Sequence, residues 1–215
     1  MYNGIRLPAE WPPRMEKLTR EPQAAPYLEN PPAVIPIDVG RQLFVDDFLI
    51  EETTLERTFH HAEYHPANPI VTGDAPHEFS DKSFWAAPFS DGVWFDPSDG
   101  KFKMWMLFGA QGGTSYAESK DGVHWTKPQL DVVTTGTNVV LDEKRDSATV
   151  WLSPEESDPE RRFKLFSTAW REGWSLVLRH SRDGVRWSEP AAASQRMGDR
   201  TTVFYNPFRK VSGSK

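Results

Sequence analysis

SKDGVHWTKP, residues 119–128, returns at residues 181–190 as SRDGVRWSEP, with Ser, Asp-Gly, Val, Trp and Pro in the same places. The two Asp-Gly pairs stand 62 residues apart, at 121 and 183. A chain of 215 residues that writes one decapeptide twice either duplicates a binding or catalytic device or punctuates a repeated fold. The flanks decide for the fold. VWFDPSDGKFKMWMLF (93–108) precedes the first copy and VWLSPEESDPERRFKLFS (150–167) precedes the second, their leading Trp94 and Trp151 standing 57 residues apart. Each unit reads strand, turn, strand, loop, strand, Asp-Gly hairpin, strand, and a third opens at TVFYNPFRKV (202–211). Four-stranded units recurring at roughly 50–60 residues predict an all-β β-propeller, in which each blade covers its apolar face with the next.

Composition agrees. Nine Trp, 13 Phe and 5 Tyr stand beside 18 Pro and 14 Gly, and aromatics favour half-buried strands while Pro and Gly mark turns. The net charge of -6 mixes both signs with no basic run, which argues against nucleic acid or an anionic membrane and for a neutral or polar small-molecule ligand. The absence of cysteine excludes disulfides, a thiol nucleophile and thiolate metal sites. The N-terminus, MYNGIRLPAEWPPRMEKL, has no apolar signal region and no stretch approaches the roughly 18 apolar residues of a membrane span. A cytoplasmic protein is expected from the sequence as written, or a periplasmic or secreted one if the true start lies upstream.

Residues 1–36 carry eight prolines and read as an irregular arm, with RMEKLTRE (14–21) able to form a helical turn; residues 37–215 read as the propeller domain. Within it, RQLFVDDFLIEETTLERTFHHAEYHP (41–66) predicts two short strands, and HPANPIVTGDAPHEFSDKS (65–83) a long loop, either functional or a strap over the fold.

In each decapeptide Asp-Gly supplies a tight turn and the Trp three residues after the Gly can fold back on it. The motif resembles the Asp-box of sialidase-type propellers, a hairpin between outer strands far from the central channel. It is therefore expected to set register, the alternative being surface sugar stacking on Trp125 and Trp187. Aligned on their valines, RDSATV (145–150) and DRTTV (199–203) each carry an Asp four residues earlier, Asp146 and Asp199, with Arg145 and Arg200 beside them. Inner strands of a propeller start near its axis, so these carboxylates would face each other across the channel. Two such groups suit acid/base cleavage of a glycosidic bond, and the arginines could hold them ionised or bind substrate. The alternative is that each Asp pairs with its own Arg. Trp85, at the first inner strand, could stack on a sugar or pack in the core. Of the cluster His60, His61 and His65, His61 is the candidate for binding hydroxyls; the spacing fits no metal site, and neither metal nor cofactor is expected.

LFVDDFLI, HPANPIV, AAPFSDGVWFDP, FKMWM, RDSATVW and GDRTTVFYNPFRK, with the decapeptide, resemble proteins of the five-bladed β-propeller glycosidase superfamily. These are similar to the N-terminal domain of glycoside hydrolase family 32 and akin to family 43. The resemblance covers about residues 37–211 and implies hydrolysis or transfer of a glycosidic linkage by acidic residues on the first three inner strands. It implies that Asp146, in a segment where Ser147 replaces the family's Pro, is the transition-state stabiliser, and that Asp199 stands where the family more often has a Glu acid. The matching position of the first unit is Phe89, so no carboxylate fills the nucleophile's place by motif. Nearby substitutes are Asp91, Glu78, Asp81, Asp46 and Asp47. A five-bladed ring needs about 300 residues, so two blades and the opening of a third are expected here, as in a truncated frame or fragment. The rival readings are a non-catalytic carbohydrate-binding propeller and an inactive fragment of a glycosidase. An oligosaccharide or polysaccharide is the expected partner.

Overall fold

The structure, a computed structural model, describes residues 9, 20–21, 30–38, 42–110, 112–198, 200–206 and 211–214. The chain divides into two compact units, Met1–Ala62 and Glu63–Lys215. The expected helical turn at 14–21 falls almost wholly outside the described residues.

The first unit corrects one expectation: no strand forms across its described part of 41–66. Local bonds take the backbone instead. Phe48 N donates to Asp46 Oδ1, Ile50 N to the Asp47 carbonyl and Leu55 N to Thr53 Oγ1. Side chains of Asp and Thr that satisfy nearby N–H groups in this way compete with strand pairing.

The second unit is all-β among its described residues, apart from two 3-10 turns, and every strand pair is antiparallel. A small hairpin, β1 (Phe79–Ser80) and β2 (Ser83–Phe84), precedes the first repeat. That repeat holds β3 (Ala86–Ala87), β4 (Val93–Asp96), β5 (Lys101–Phe108), β6 (Thr114–Ser119), β7 (Trp125–Thr126) and β8 (Val139–Leu141). Both β3 and β4 pair with β5, and both β7 and β8 pair with β6, so the sheet is a four-row meander whose two outer rows are interrupted. The second repeat is an unbroken meander of β9 (Arg145–Leu152), β10 (Phe163–Trp170), β11 (Trp174–Ser181) and β12 (Ala192–Arg196). A third opens with β13 (Val203–Asn206) paired to β14 (Val211–Ser214). No sheet closes on itself among the described residues. No described helix is long and apolar enough to cross a membrane.

The core lies between the two meanders. Ala148, Val150 and Leu152 alternate along β9 onto one face and meet Trp105, Tyr116, Val140, Phe163 and Leu165, as period-two patterning dictates. On another side of the first repeat, Met104, Met106 and Ala117 pack with Val71 and Trp125. Val71 belongs to the long loop, which is thus a strap. Lys127 Nζ ties it down through the Thr72 carbonyl at 2.6 Å, Asp74 at 2.8 Å and the buried Glu78 at 2.8 Å.

The two decapeptides share one bonding pattern. Ser119 Oγ accepts from Gly122 N at 2.9 Å and Asp121 Oδ1 from Val123 N and His124 N at 2.8 Å each; Ser181 and Asp183 repeat this with Gly184, Val185 and Arg186. Hydrogen bonds, from His124 first, hold the Asp121 carboxyl well below its usual range. At Asp183 burial opposes ionisation, but the Arg186 and Val185 N–H groups prevail and its pKa also falls.

The copies differ in what lies against the turn. Trp125 Nε1 folds back onto the Gly122 carbonyl at 2.9 Å, as expected. In the second copy Trp187 does not: the Gly184 carbonyl accepts from Trp105 Nε1 of the first repeat at 2.7 Å, and Trp187 Nε1 has no partner among the described residues. The second turn is therefore a socket for its neighbour. Both glycines have φ near +78°, at +77° and +79°. A Cβ at Gly122 would meet the Phe102 ring at 3.8 Å, whereas one at Gly184 would lie 2.6 Å from Trp105 Cζ2. Gly122→Ala is expected to cost about 1–2 kcal/mol for the left-handed backbone. Gly184→Ala should add about 1–3 kcal/mol of overpacking, seen as a clearly lower urea midpoint with an unchanged slope. Equal midpoints for the two variants would refute the socket.

Candidate functional site

Three strand starts lie side by side. Ala148 N donates to Ser90 Oγ at 3.2 Å and Val150 N to the Asp91 carbonyl at 2.8 Å, which sets the segment leading into β4 along one side of β9. On the other side Thr201 N donates to Ser147 Oγ at 2.9 Å and Val203 N to Thr149 Oγ1 at 3.4 Å. An aromatic row, Trp94 to Trp151 at 4.9 Å and Trp151 to Tyr205 at 5.9 Å, repeats the same neighbour order further along. At the head of the group the Arg200 guanidinium lies 5.1 Å from the Phe89 ring centre, joining the first and third starts. Phe89 is 46% exposed and has φ +46°. A bulky residue in left-handed backbone is costly and marks places where the surrounding structure imposes a conformation.

Asp146 sits on a β-bulge. Ser167 pairs with Ala148 and Ala169 with Arg145, so three residues of β9 advance against two of β10. Asp146 and Ser147 together face Thr168, whose Oγ1 is 3.0 Å from Ser147 Oγ. An inserted residue of this kind re-aims side chains, and such bulges concentrate beside active sites. Asp146 is half-buried; its Oδ2 is shielded from solvent and has no hydrogen-bond partner among the described residues. A shielded carboxylate oxygen without a donor costs free energy, and a ligand hydroxyl could supply that donor.

Beneath it lies a closed ion pair. Arg145 and Asp91 are both fully buried, and the guanidinium donates through both terminal nitrogens to the two Asp91 oxygens. Its Nε donates to Thr114 Oγ1 at 2.9 Å and Nη1 also to the Asp146 carbonyl at 3.0 Å. Burial pushes the Asp91 carboxyl up to about 6, while the charge and hydrogen bonds of Arg145 pull the other way.

Arg145 was expected to bind substrate or to pair with the Asp146 carboxylate. Its donors are turned inward to Asp91, Thr114 and the Asp146 backbone carbonyl, not to the Asp146 carboxylate. It acts as a frame that fixes the start of β9. Asp91, one of the substitutes considered for the first-unit carboxylate, is sealed by that pair. Glu78, another, is a buried residue of the strap itself and is held by Lys127. Arg200 is exposed and stacked on Phe89. Trp85 is 42% exposed, with its Nε1 donating to Ser83 Oγ at 3.0 Å. His61 is exposed on the first unit, and Asp199 lies outside the described residues. Among the described residues no three His, Asp or Glu side chains gather as metal ligands.

Sequence reasoning missed both the bulge and the Asp91–Arg145 pair. One signal for them was present: Ala148, Val150 and Leu152 keep one phase, and a second charged residue, Asp146, follows Arg145 where that phase breaks. A cavity of about 480 Å³ lies elsewhere, between the strap and the first Asp-Gly hairpin, with His77, Trp125, Lys127 and Asn138 in its walls. Comparison with protein-family models, with curated proteins and with solved structures returns no match to this chain.

Proposed function

We propose that the chain belongs to a carbohydrate-active enzyme, a glycoside hydrolase built on a five-bladed propeller, with Asp146 and Asp199 as its acidic residues. Two meanders of like order, packed face to face with their first strands adjacent and a third opening beside them, support the propeller reading. The observation that carries the functional reading is Asp146, raised on a bulge at the junction of three strand starts with an oxygen that lacks a donor among the described residues. In this reading Asp146 stabilises the positive charge developing on the sugar ring, and Asp199 protonates the leaving oxygen. Arg145 and Asp91 act by holding the β9 start rigid, which suits a group that must be placed to within a fraction of an ångström.

The test is hydrolysis of plant and algal oligosaccharides by the polypeptide and by its Asp146→Asn and Asp199→Asn variants. Each substitution is expected to lower kcat by about 10²–10⁴-fold. Undiminished cleavage by both variants would sink the assignment.

A second reading, a carbohydrate-binding propeller without catalysis, draws support from Phe89. The position where the resemblance calls for a nucleophile holds an aromatic ring covered by Arg200, and the adjacent Asp91 is sealed. That reading predicts glycan retention with no release of reducing ends.

A further inference from the structure

The hairpin between β10 and β11 ends in WREGW, residues 170–174, and its tip stands beside the start of β9. Trp170 N donates to the Lys144 carbonyl at 3.4 Å, one step beyond the pairing of Ala169 with Arg145. Strand alternation puts Trp170 on the face of Thr168, which is the residue that Asp146 and Ser147 share. Trp170 is 55% exposed although it is a large apolar ring. It is not loose: the Trp174 ring meets it edge-on at 5.3 Å and 84°. The turn between them is tight, with Glu172 and Gly173 at φ +56° and +136° and Arg171 N bonded to the Gly173 carbonyl at 2.8 Å. The result is a fixed aromatic surface open to solvent, at the end of β10 that lies against the start of β9.

Charge around the tip points to the class of ligand. Lys144, Arg171 and Arg196 are all exposed, and their side chains have no hydrogen bond or ion pair among the described residues. Arg196 lies against the turn, its Nε 3.1 Å from where a Gly173 Cβ would stand. Glu172 is the one acidic residue within the turn itself. These three cations stand free at the tip, among the carboxylates Glu172, Asp142 and Asp146. An arginine fork matches carboxylate and sulfate oxygens in pairs.

We infer that the tip of the β10–β11 hairpin is a subsite for an acidic sugar residue, one bearing carboxylate or sulfate, which stacks on Trp170 while Lys144, Arg171 and Arg196 hold its anionic group. The inference rests on the proposed reading of Asp146 as facing a glycan, and it adds the substrate class. The aromatic face binds the C–H side of the sugar ring and the cations select charge, so a neutral glycan gains only the first of these contacts.

The experiment is native affinity electrophoresis of the full chain in gels cast with alginate or polygalacturonate (carboxylate), carrageenan (sulfate), or xylan or arabinan (neutral). At least one acidic polymer is expected to retard the protein, with the carboxylate and sulfate gels telling the two chemistries apart. Retardation should weaken about tenfold in W170A, persist in W170F, and fall in R171A/R196A and with added salt. Trp170, Arg171 and Arg196 are all exposed, and rescue by Phe guards against a folding artefact. Retardation by no acidic polymer, equal retardation of W170A and the parent, or retention by xylan as strong as by alginate would each overturn the subsite. Cleavage of the same polymers, with and without Asp146→Asn, separates the two claims. Retention through Trp170 without Asp146-dependent cleavage upholds the subsite and fails the hydrolase. Asp146-dependent cleavage with W170A retention intact does the reverse.

Discussion

Arg145→Ala is expected to lower stability by about 3–5 kcal/mol, because it leaves Asp91 as an unpaired carboxylate in a fully buried place. Arg145 also serves Thr114 and the Asp146 carbonyl, so the loss reaches the bulge itself. The pH dependence follows from the direction of the Asp91 shift. Its folded pKa stands at about 6, above its usual 3.8, so the folded state binds the proton more tightly than the unfolded one. The carboxyl's contribution is fully present below the unfolded value and is lost as pH rises through the folded value. Without Arg145 the folded value climbs further, and the deficit of the variant relative to the parent should grow between pH 5 and pH 8. Urea unfolding at those two pH values measures it. A deficit that is small and flat with pH would mean that the pair is not the anchor of the β9 start. Replacing both partners together, as Asp91→Leu with Arg145→Met, should recover much of the loss, since neither charge is then stranded.

Trp105→Ala is expected to cost about 3–5 kcal/mol through loss of a fully buried ring and the cavity it leaves. The ring touches Tyr116 of its own sheet at 5.8 Å and Phe163 of the next at 5.7 Å, and its Nε1 bonds the second Asp-Gly turn. The damage should therefore spread across the junction of the two repeats. Amide exchange ought to rise at Gly184 and along β9 as well as along β5, and Trp105→Phe should restore part of the stability while leaving the Gly184 carbonyl without its donor. Exchange confined to β5 would show that the repeats do not stabilise each other through this residue.

The pattern of strands was readable because it rests on local chemistry. Asp-Gly turns, alternating apolar residues and repeated Trp positions announced β5, β6 and all four strands of the second meander, and they placed the third opening at Val203. Two kinds of element escaped. Residues 41–66 have strand-like composition, yet a strand needs a partner row of N–H and C=O groups, and here Asp46, Asp47 and Thr53 bind the backbone locally. The interrupted outer rows of the first repeat escaped for the same reason, since pairing depends on what lies alongside and not on the segment itself.

The candidate site was legible in part. Register alone brought Asp146 into view, and the odd position of Phe89 could be read from the same alignment. That Phe89 would lie under Arg200, and that Arg145 would turn away from Asp146 toward a residue 54 positions earlier, could not. Nor could the bulge, which arises from the count of residues on two strands that must first be paired.

What the sequence by itself determined is therefore the repeat, its turns and the all-β class, because turn chemistry and side-chain alternation act over a few residues. What only the tertiary structure decided is which charges are paired and sealed, which carboxylate oxygen is left without a donor, and which Asp-Gly turn receives its neighbour's Trp. Each of those depends on burial and on contacts between residues some 50 to 80 positions apart, and low dielectric turns such contacts into either strong bonds or unpaired groups.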